Sequence, residues 1–126
     1  MQENAMTGST PTTTLFRNET DPKHFKAGET IFSEGSPGDY MYAVIDGEVD
    51  IVKGGKVVDT IGSGGLFGEM ALIDHMVRSA AARAKTDCSA AQIDEKRFLF
   101  LVREHPNFAL HLMRVLTDRI RNRTEA

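Results

Sequence analysis

Gly28–Ile61 reads GETIFSEGSPGDYMYAVIDGEVDIVKGGKVVDTI. Four short β-prone runs, ETIF, YMYAVI, EVDIVK and KVVDTI, are separated by SEGSPGD, DG and GG, where Gly, Pro and Asp interrupt the chain every few residues. That spacing predicts an antiparallel meander. Asp46-Gly47 and Gly54-Gly55 are two-residue connections of the kind type I′ turns require, with positive φ at both central positions. In EVDIVK, Val49 and Ile51 share one face while Glu48, Asp50 and Lys53 break the pattern toward solvent, as in a half-buried strand. Four or more such strands need closure or a second sheet to protect their edges, which points to a small barrel or jelly roll.

Outward from this stretch the period changes. SAAQID (89–94) reads as a last strand, and Asp94 is placed to N-cap EKRFLFLVREH, where Phe98, Leu101 and Val102 recur at helical spacing. Pro106 ends that helix and opens a second one, expected at about 107–123, whose apolar stripe is Phe108, Leu112, Met113, Leu116 and Ile120. On the other side, residues 1–14 (MQENAMTGSTPTTT) are polar and without periodicity, so they read as a disordered tail before a single domain over 15–126.

Bulk composition narrows the function classes. A chain of 126 residues with 40% hydrophobic content builds one core. Its formal net charge of −3 supplies no global basic field for phosphate backbones or anionic lipid, so neither nucleic acid nor a membrane is expected as partner. The N-terminus lacks the basic-then-apolar order of a signal peptide, and a cytoplasmic location is expected. The single cysteine, Cys88, reads as a buried core thiol. His24, His75, His105 and His111 show no metal-ligand spacing, are expected on the surface, and imply no metal.

Between strands and helices lies Gly64–Ala84, GGLFGEMALIDHMVRSAAARA. Gly64, Gly65 and Gly68 permit close approach of backbone, and GEMALI is long enough for one or two helical turns whose first amides point outward. Arg78, nine residues after Glu69, is placed to return along the next strand and add a bidentate donor to that anion site. Glu69 repels phosphate, so it fits only as an acceptor for a neighbouring hydroxyl such as a ribose 2′-OH. A compact sugar phosphate satisfies both residues. Taken singly, Arg78 reads as a surface arginine and Glu69 as a complement to the helix dipole; it is their joint spacing after the glycines that points to a ligand.

FGEMALIDHMVRSAAARA closely resembles the phosphate-binding cassette of cyclic-nucleotide-binding domains, whose pattern is Phe-Gly-Glu, a small or aliphatic run, then Arg-Ser/Thr-Ala and a strand. The resemblance extends to AGETIFSEGSPGDYMYAVIDGEVDIV and to DEKRFLFLVREHPNF…LHLMRVLTDRI, roughly residues 15–121. It implies an eight-stranded antiparallel β-roll holding a short cassette helix, followed by two C-terminal helices. It also implies cAMP or cGMP as ligand: Gly68 and Glu69 on the ribose 2′-OH, the Ala71 and Ser79 amides and the Arg78 guanidinium on the cyclic phosphate, and the Ser79 hydroxyl near phosphate or base. Leu66, Phe67 and Ala82 would line the apolar part, with Arg119 over the base and Ile120 helping to cover it. The chain departs from the family at DHMV before the arginine, where Gly or Pro is usual, and at Ala81-Ala82, where Thr or Ser and a β-branched residue are usual.

No nucleophile accompanies Asp74 and His75, so hydrolysis is not expected and the chain reads as a receptor, not an enzyme. Forty-eight residues follow Arg78 and are taken up by a strand and two helices, leaving no DNA-reading helix-turn-helix in this sequence. The expectation is a stand-alone receptor whose terminal helix closes and signals to a protein partner in trans. The alternatives are a non-binding orphan or scaffold domain and a fragment of a larger regulated protein.

Overall fold

The computed structural model describes residues 15–125; the expected tail lies outside them. The strands are β1 (Lys23–Phe25), β2 (Thr30–Phe32), β3 (Met41–Asp46), β4 (Val49–Lys53), β5 (Lys56–Ile61), β6 (Leu66–Phe67), β7 (Ala81–Ala84) and β8 (Cys88–Ile93). Helix α1 (Glu69–Asp74) interrupts them, and α2 (Glu95–Glu104) and α3 (Pro106–Glu125) follow. Two four-stranded sheets result, in the orders β1-β8-β3-β6 and β2-β7-β4-β5, with every pairing antiparallel. This is the jelly roll that the four central runs required.

The turns divide the expectation. Gly54 (φ 58°) and Gly55 (φ 81°) both take positive φ, and β4–β5 is the hairpin their sequence predicts. Asp46-Gly47 is not such a turn. The connection is Gly47-Glu48, only Gly47 has positive φ, and β3 and β4 belong to different sheets, so the chain crosses from one layer to the other here. Gly47 is needed at that crossing for space as well: a Cβ there would lie 2.3 Å from the Asp87 carbonyl oxygen.

Asp50 also departs from expectation. It is buried, because register sets it opposite Thr60 and the Thr60 hydroxyl donates to its Oδ1 at 2.8 Å. In β5 the pairs Ile51–Asp59 and Val52–Val57 leave Val58 as a bulged extra residue, and both valines of this edge strand are exposed.

β3 is buried on both faces, and its alternation separates two cores. Tyr42 and Val44 join Val49, Phe67, Ala82 and Ala90 in a cluster that draws on both sheets. Met41 and Ala43 join Leu66, Ile93, Leu101 and Phe108 in a second cluster between the first sheet and the helices. β6 contributes one residue to each. Cys88 is buried in the first cluster, and burial pushes its thiol above the usual range.

Asp94 caps α2 as the sequence indicates, its Oδ1 accepting from the Arg97 amide at 2.8 Å. Arg97 in turn donates from both terminal nitrogens to Glu19, at 2.6 and 3.0 Å, which raises its pKa further and ties the start of the described chain to α2. Phe16, close by, is buried edge-on to Phe108, with ring centroids 6.4 Å apart.

The α3 stripe needs correction. Phe108 and Leu112 are buried and Leu116 half-buried, but Met113 is 60% and Ile120 62% exposed. The inward face runs Phe108, His111, Leu112, Val115, Leu116 and Arg119. At 3.6 residues per turn, Met113 and Ile120 lie roughly 110–130° around from its centre. His24, His75 and His105 are exposed as expected, whereas His111 sits on this face with its Nε2 enclosed and without a hydrogen-bond partner among the described residues. Among the described residues no helix is long and apolar enough to cross a membrane.

Candidate functional site

The site is built where β6 passes into α1. Gly68 makes that junction with φ 79°, and a Cβ there would lie 2.9 Å from Arg78 Nη1. Glycine is therefore required both by the left-handed backbone and by the arginine packed over it. Its turn delivers Glu69, the first residue of α1, into the interior, where it is only 1% exposed.

Arg78 reaches the same place from the far side of the cassette loop. α1 closes on His75 (φ 61°), whose amide donates to the Ala71 carbonyl, and the Asp74 carboxylate accepts from the Met76 amide at 2.9 Å. The DHMV loop is thus a hydrogen-bonded turn with His75 in the left-handed position that Gly usually fills. Beyond it, the Arg78 amide donates to Ser36 and its carbonyl accepts from Gly35, both at 2.8 Å, so the loop between β2 and β3 fixes the arginine's backbone.

The Arg78 side chain is 5% exposed. Nη1 donates to the Gly68 carbonyl at 2.7 Å, Nη2 to the Tyr40 carbonyl at 2.5 Å, and Cζ lies 3.9 Å from the centre of the Phe32 ring. Burial lowers its pKa from the ordinary guanidinium value. Gly38 completes the enclosure: a Cβ there would lie 2.1 Å from the Ala71 Cβ and 3.2 Å from Arg78 Nε.

Two polar atoms are left over. Arg78 Nε and Glu69 Oε1 are buried with no hydrogen-bond partner among the described residues. Each such unsatisfied atom costs about 1–3 kcal/mol. One orphaned donor and one orphaned acceptor, beside the first-turn amides of α1, suit a ligand that carries both an anion and a hydroxyl. The second oxygen, Glu69 Oε2, is already taken: Arg119 Nη1 donates to it at 2.5 Å, while Nη2 donates to the Leu66 carbonyl at 2.8 Å.

The structure brings Leu66, Gly68, Glu69, Ala71, Arg78 and Arg119 together. Ser79 is exposed directly after Arg78. Phe67 and Ala82 are wholly buried in the inter-sheet core, with Phe67 stacked on Tyr42 at 5.1 Å between centroids. Sequence reasoning did not single out Phe32, Gly38 and Tyr40, which enclose Arg78; the only local signal is the turn composition of SPGDY. Among the described residues no group of three or more His, Cys, Asp or Glu is placed to hold a metal ion.

Residues 22–105 match the sequence profile of a family described as "Cyclic nucleotide-binding domain". A CRP-like cAMP-activated global transcriptional regulator of Mycobacterium tuberculosis is 30% identical over 105 residues, which make up 79% of this chain and 47% of that protein. The crystal structure of Thermus thermophilus catabolite activator protein is similar with a TM-score of 0.74 and 32% identity, over 82% of this chain and 51% of that one. The cGMP-bound form of the EAL enzyme Bd1971 is similar with a TM-score of 0.64 and 35% identity, over 83% of this chain and 29% of that one. The chain spans about half the length, or less, of these relatives.

Proposed function

The chain belongs to the cyclic nucleotide-binding domain family, and from that premise we propose that it is a stand-alone receptor for cAMP or cGMP that signals through α3 to a protein partner in trans. The observation that carries this reading is the pair of unsatisfied atoms, Glu69 Oε1 and Arg78 Nε, buried at one helix start. Glu69 Oε1 accepts the ribose 2′-hydroxyl. Arg78, with the Ala71 and Ser79 amides, holds the cyclic phosphate in a desolvated setting where a charge-assisted hydrogen bond counts for most.

Gly68 keeps the backbone clear of the guanidinium, Leu66 and Phe67 fix the strand that presents the carboxylate, and Ala82 supports the apolar wall. The end of α3 reaches the site through Arg119, whereas Ile120 is turned largely to solvent. Binding then biases the position of α3, and the partner reads that change.

Calorimetry with cAMP, cGMP and 5′-AMP, in the presence of a chelator, tests the reading. One cyclic nucleotide is expected per chain, bound more tightly than the open 5′-monophosphate and with no metal requirement. The absence of both heat and thermal shift at millimolar cAMP and cGMP overturns it.

A further inference from the structure

We infer that Phe32 is a positioning residue for Arg78: its ring stops the guanidinium from swinging and so aims the Nε–H at the anion. The inference rests on the receptor reading above and deepens it by adding a residue of β2, outside the Gly64–Ala84 stretch, to the phosphate site.

Two hydrogen bonds alone do not fix a planar group. Arg78 Nη1 and Nη2 each spend one hydrogen on a carbonyl, those of Gly68 and Tyr40, and two points define a line about which the guanidinium can still turn. Such a turn displaces Nε, the atom left without a partner among the described residues. The Phe32 ring lies across this motion, with Arg78 Cζ 3.9 Å from its centre, so one face of the guanidinium is backed by an attractive, water-excluding surface. Gly38, where a Cβ would lie 3.2 Å from Nε, has no side chain to share that task.

The ring is itself held. Its centroid lies 6.0 Å from those of Tyr42 and Phe67, which stack at 5.1 Å in the core between the sheets, and the Tyr42 hydroxyl accepts from Gln92 Nε2 at 3.1 Å. In β2 the pairs Thr30–Arg83 and Phe32–Ala82 leave Ile31 as an extra residue, and this bulge sets the ring opposite the fully buried Ala82, whose single methyl leaves it room. Core packing thus fixes the guanidinium through one ring face. An aliphatic side chain of similar size fills the space but gives a cation no flat partner, and binding then includes the cost of ordering the arginine.

The experiment measures Kd for cAMP and for cGMP by calorimetry, and stability by urea denaturation, for the full chain and for Phe32→Leu, Phe32→Met and Phe32→Tyr. Phe32→Leu is then repeated in an Arg78→Lys chain. Phe32→Leu and Phe32→Met are expected to weaken binding about three- to thirtyfold, while Phe32→Tyr, which keeps the ring face, stays within about twofold of the parent. Lysine keeps the charge but has no plane to aim, so in the Arg78→Lys chain the Phe32→Leu change is expected to alter Kd by less than about twofold. A ring with a merely structural role gives the same loss in both backgrounds. The methionine variant carries the test if the leucine variant does not fold.

Equal losses from Phe32→Leu in the parent and in Arg78→Lys overturn the inference, and so does a parent-like Kd in the aliphatic variants. A loss in Phe32→Tyr as large as that in Phe32→Leu overturns it too, because the ring face then contributes nothing; the receptor reading stands in each of these cases. A parent chain that binds neither nucleotide removes both.

Discussion

Arg78 serves the fold and, on the proposed reading, the ligand with one guanidinium. Its terminal nitrogens hold the carbonyls of Gly68 and Tyr40, which joins α1 to the chain entering β3, and its plane rests on Phe32. Its Nε is buried without a partner among the described residues, and the proposed function gives it the anion. Arg78→Leu is therefore expected to act twice. Cyclic-nucleotide affinity falls by about 2–5 kcal/mol, roughly thirtyfold to several thousandfold, because a charged donor to a desolvated phosphate is lost. Folding stability falls by about 1–3 kcal/mol, because two carbonyls lose their buried donor. Titration calorimetry and urea denaturation separate the two effects. Unchanged affinity would place the phosphate elsewhere, and unchanged stability would mean that water replaces the guanidinium on both carbonyls.

α3 shows at the scale of an element how far local pattern reaches. Its start follows from Pro106, and its anchors Phe108 and Leu112 follow from their spacing, but Met113 is apolar, sits beside Leu112 and faces water. Leu112→Ala is expected to cost about 2–5 kcal/mol through the cavity it leaves, and Met113→Ser to stay within about 0.5 kcal/mol of the parent. Chemical denaturation of the two variants checks the assignment of faces; equal losses would contradict it. The same limit explains what else was legible. The Gly54-Gly55 turn, the Asp94 cap and the start of α1 at Gly68-Glu69 are set by neighbours in sequence and are legible there. Burial of Asp50 depends on Thr60 across a strand pair, and the crossing at Gly47 depends on which sheet each strand joins. Strands as short as β1 and β6, of three and two residues, carry no period to detect. Glu69 and Arg78 could be paired from their spacing, whereas Tyr40, some forty positions upstream of Arg78, meets it only through the closed roll.

For the whole molecule, the arrangement of cores separates folding from closure. β6 places Leu66 in the core under the helices and Phe67 in the core between the sheets, so the strand that leads into Glu69 is gripped from both sides. α3 enters the first of these cores through Phe108 and Leu112 and reaches the site only at Arg119, two turns beyond Leu112. A chain ended after Asp118 keeps both cores and both anchors, and loses the contacts of Arg119 with Glu69 and Leu66. It is expected to fold cooperatively and to bind cyclic nucleotide more weakly by about 1–2 kcal/mol, roughly five- to thirtyfold, with the loss carried by faster release. On the proposed reading Arg78, the Ala71 amide and the Ser79 amide remain to hold the phosphate, so association is expected to change little. Stopped-flow displacement measures both rates. An off-rate equal to that of the full chain would show that the end of α3 neither covers the ligand nor steadies the carboxylate beneath it, and the signal to a partner would then have to leave the roll by another element.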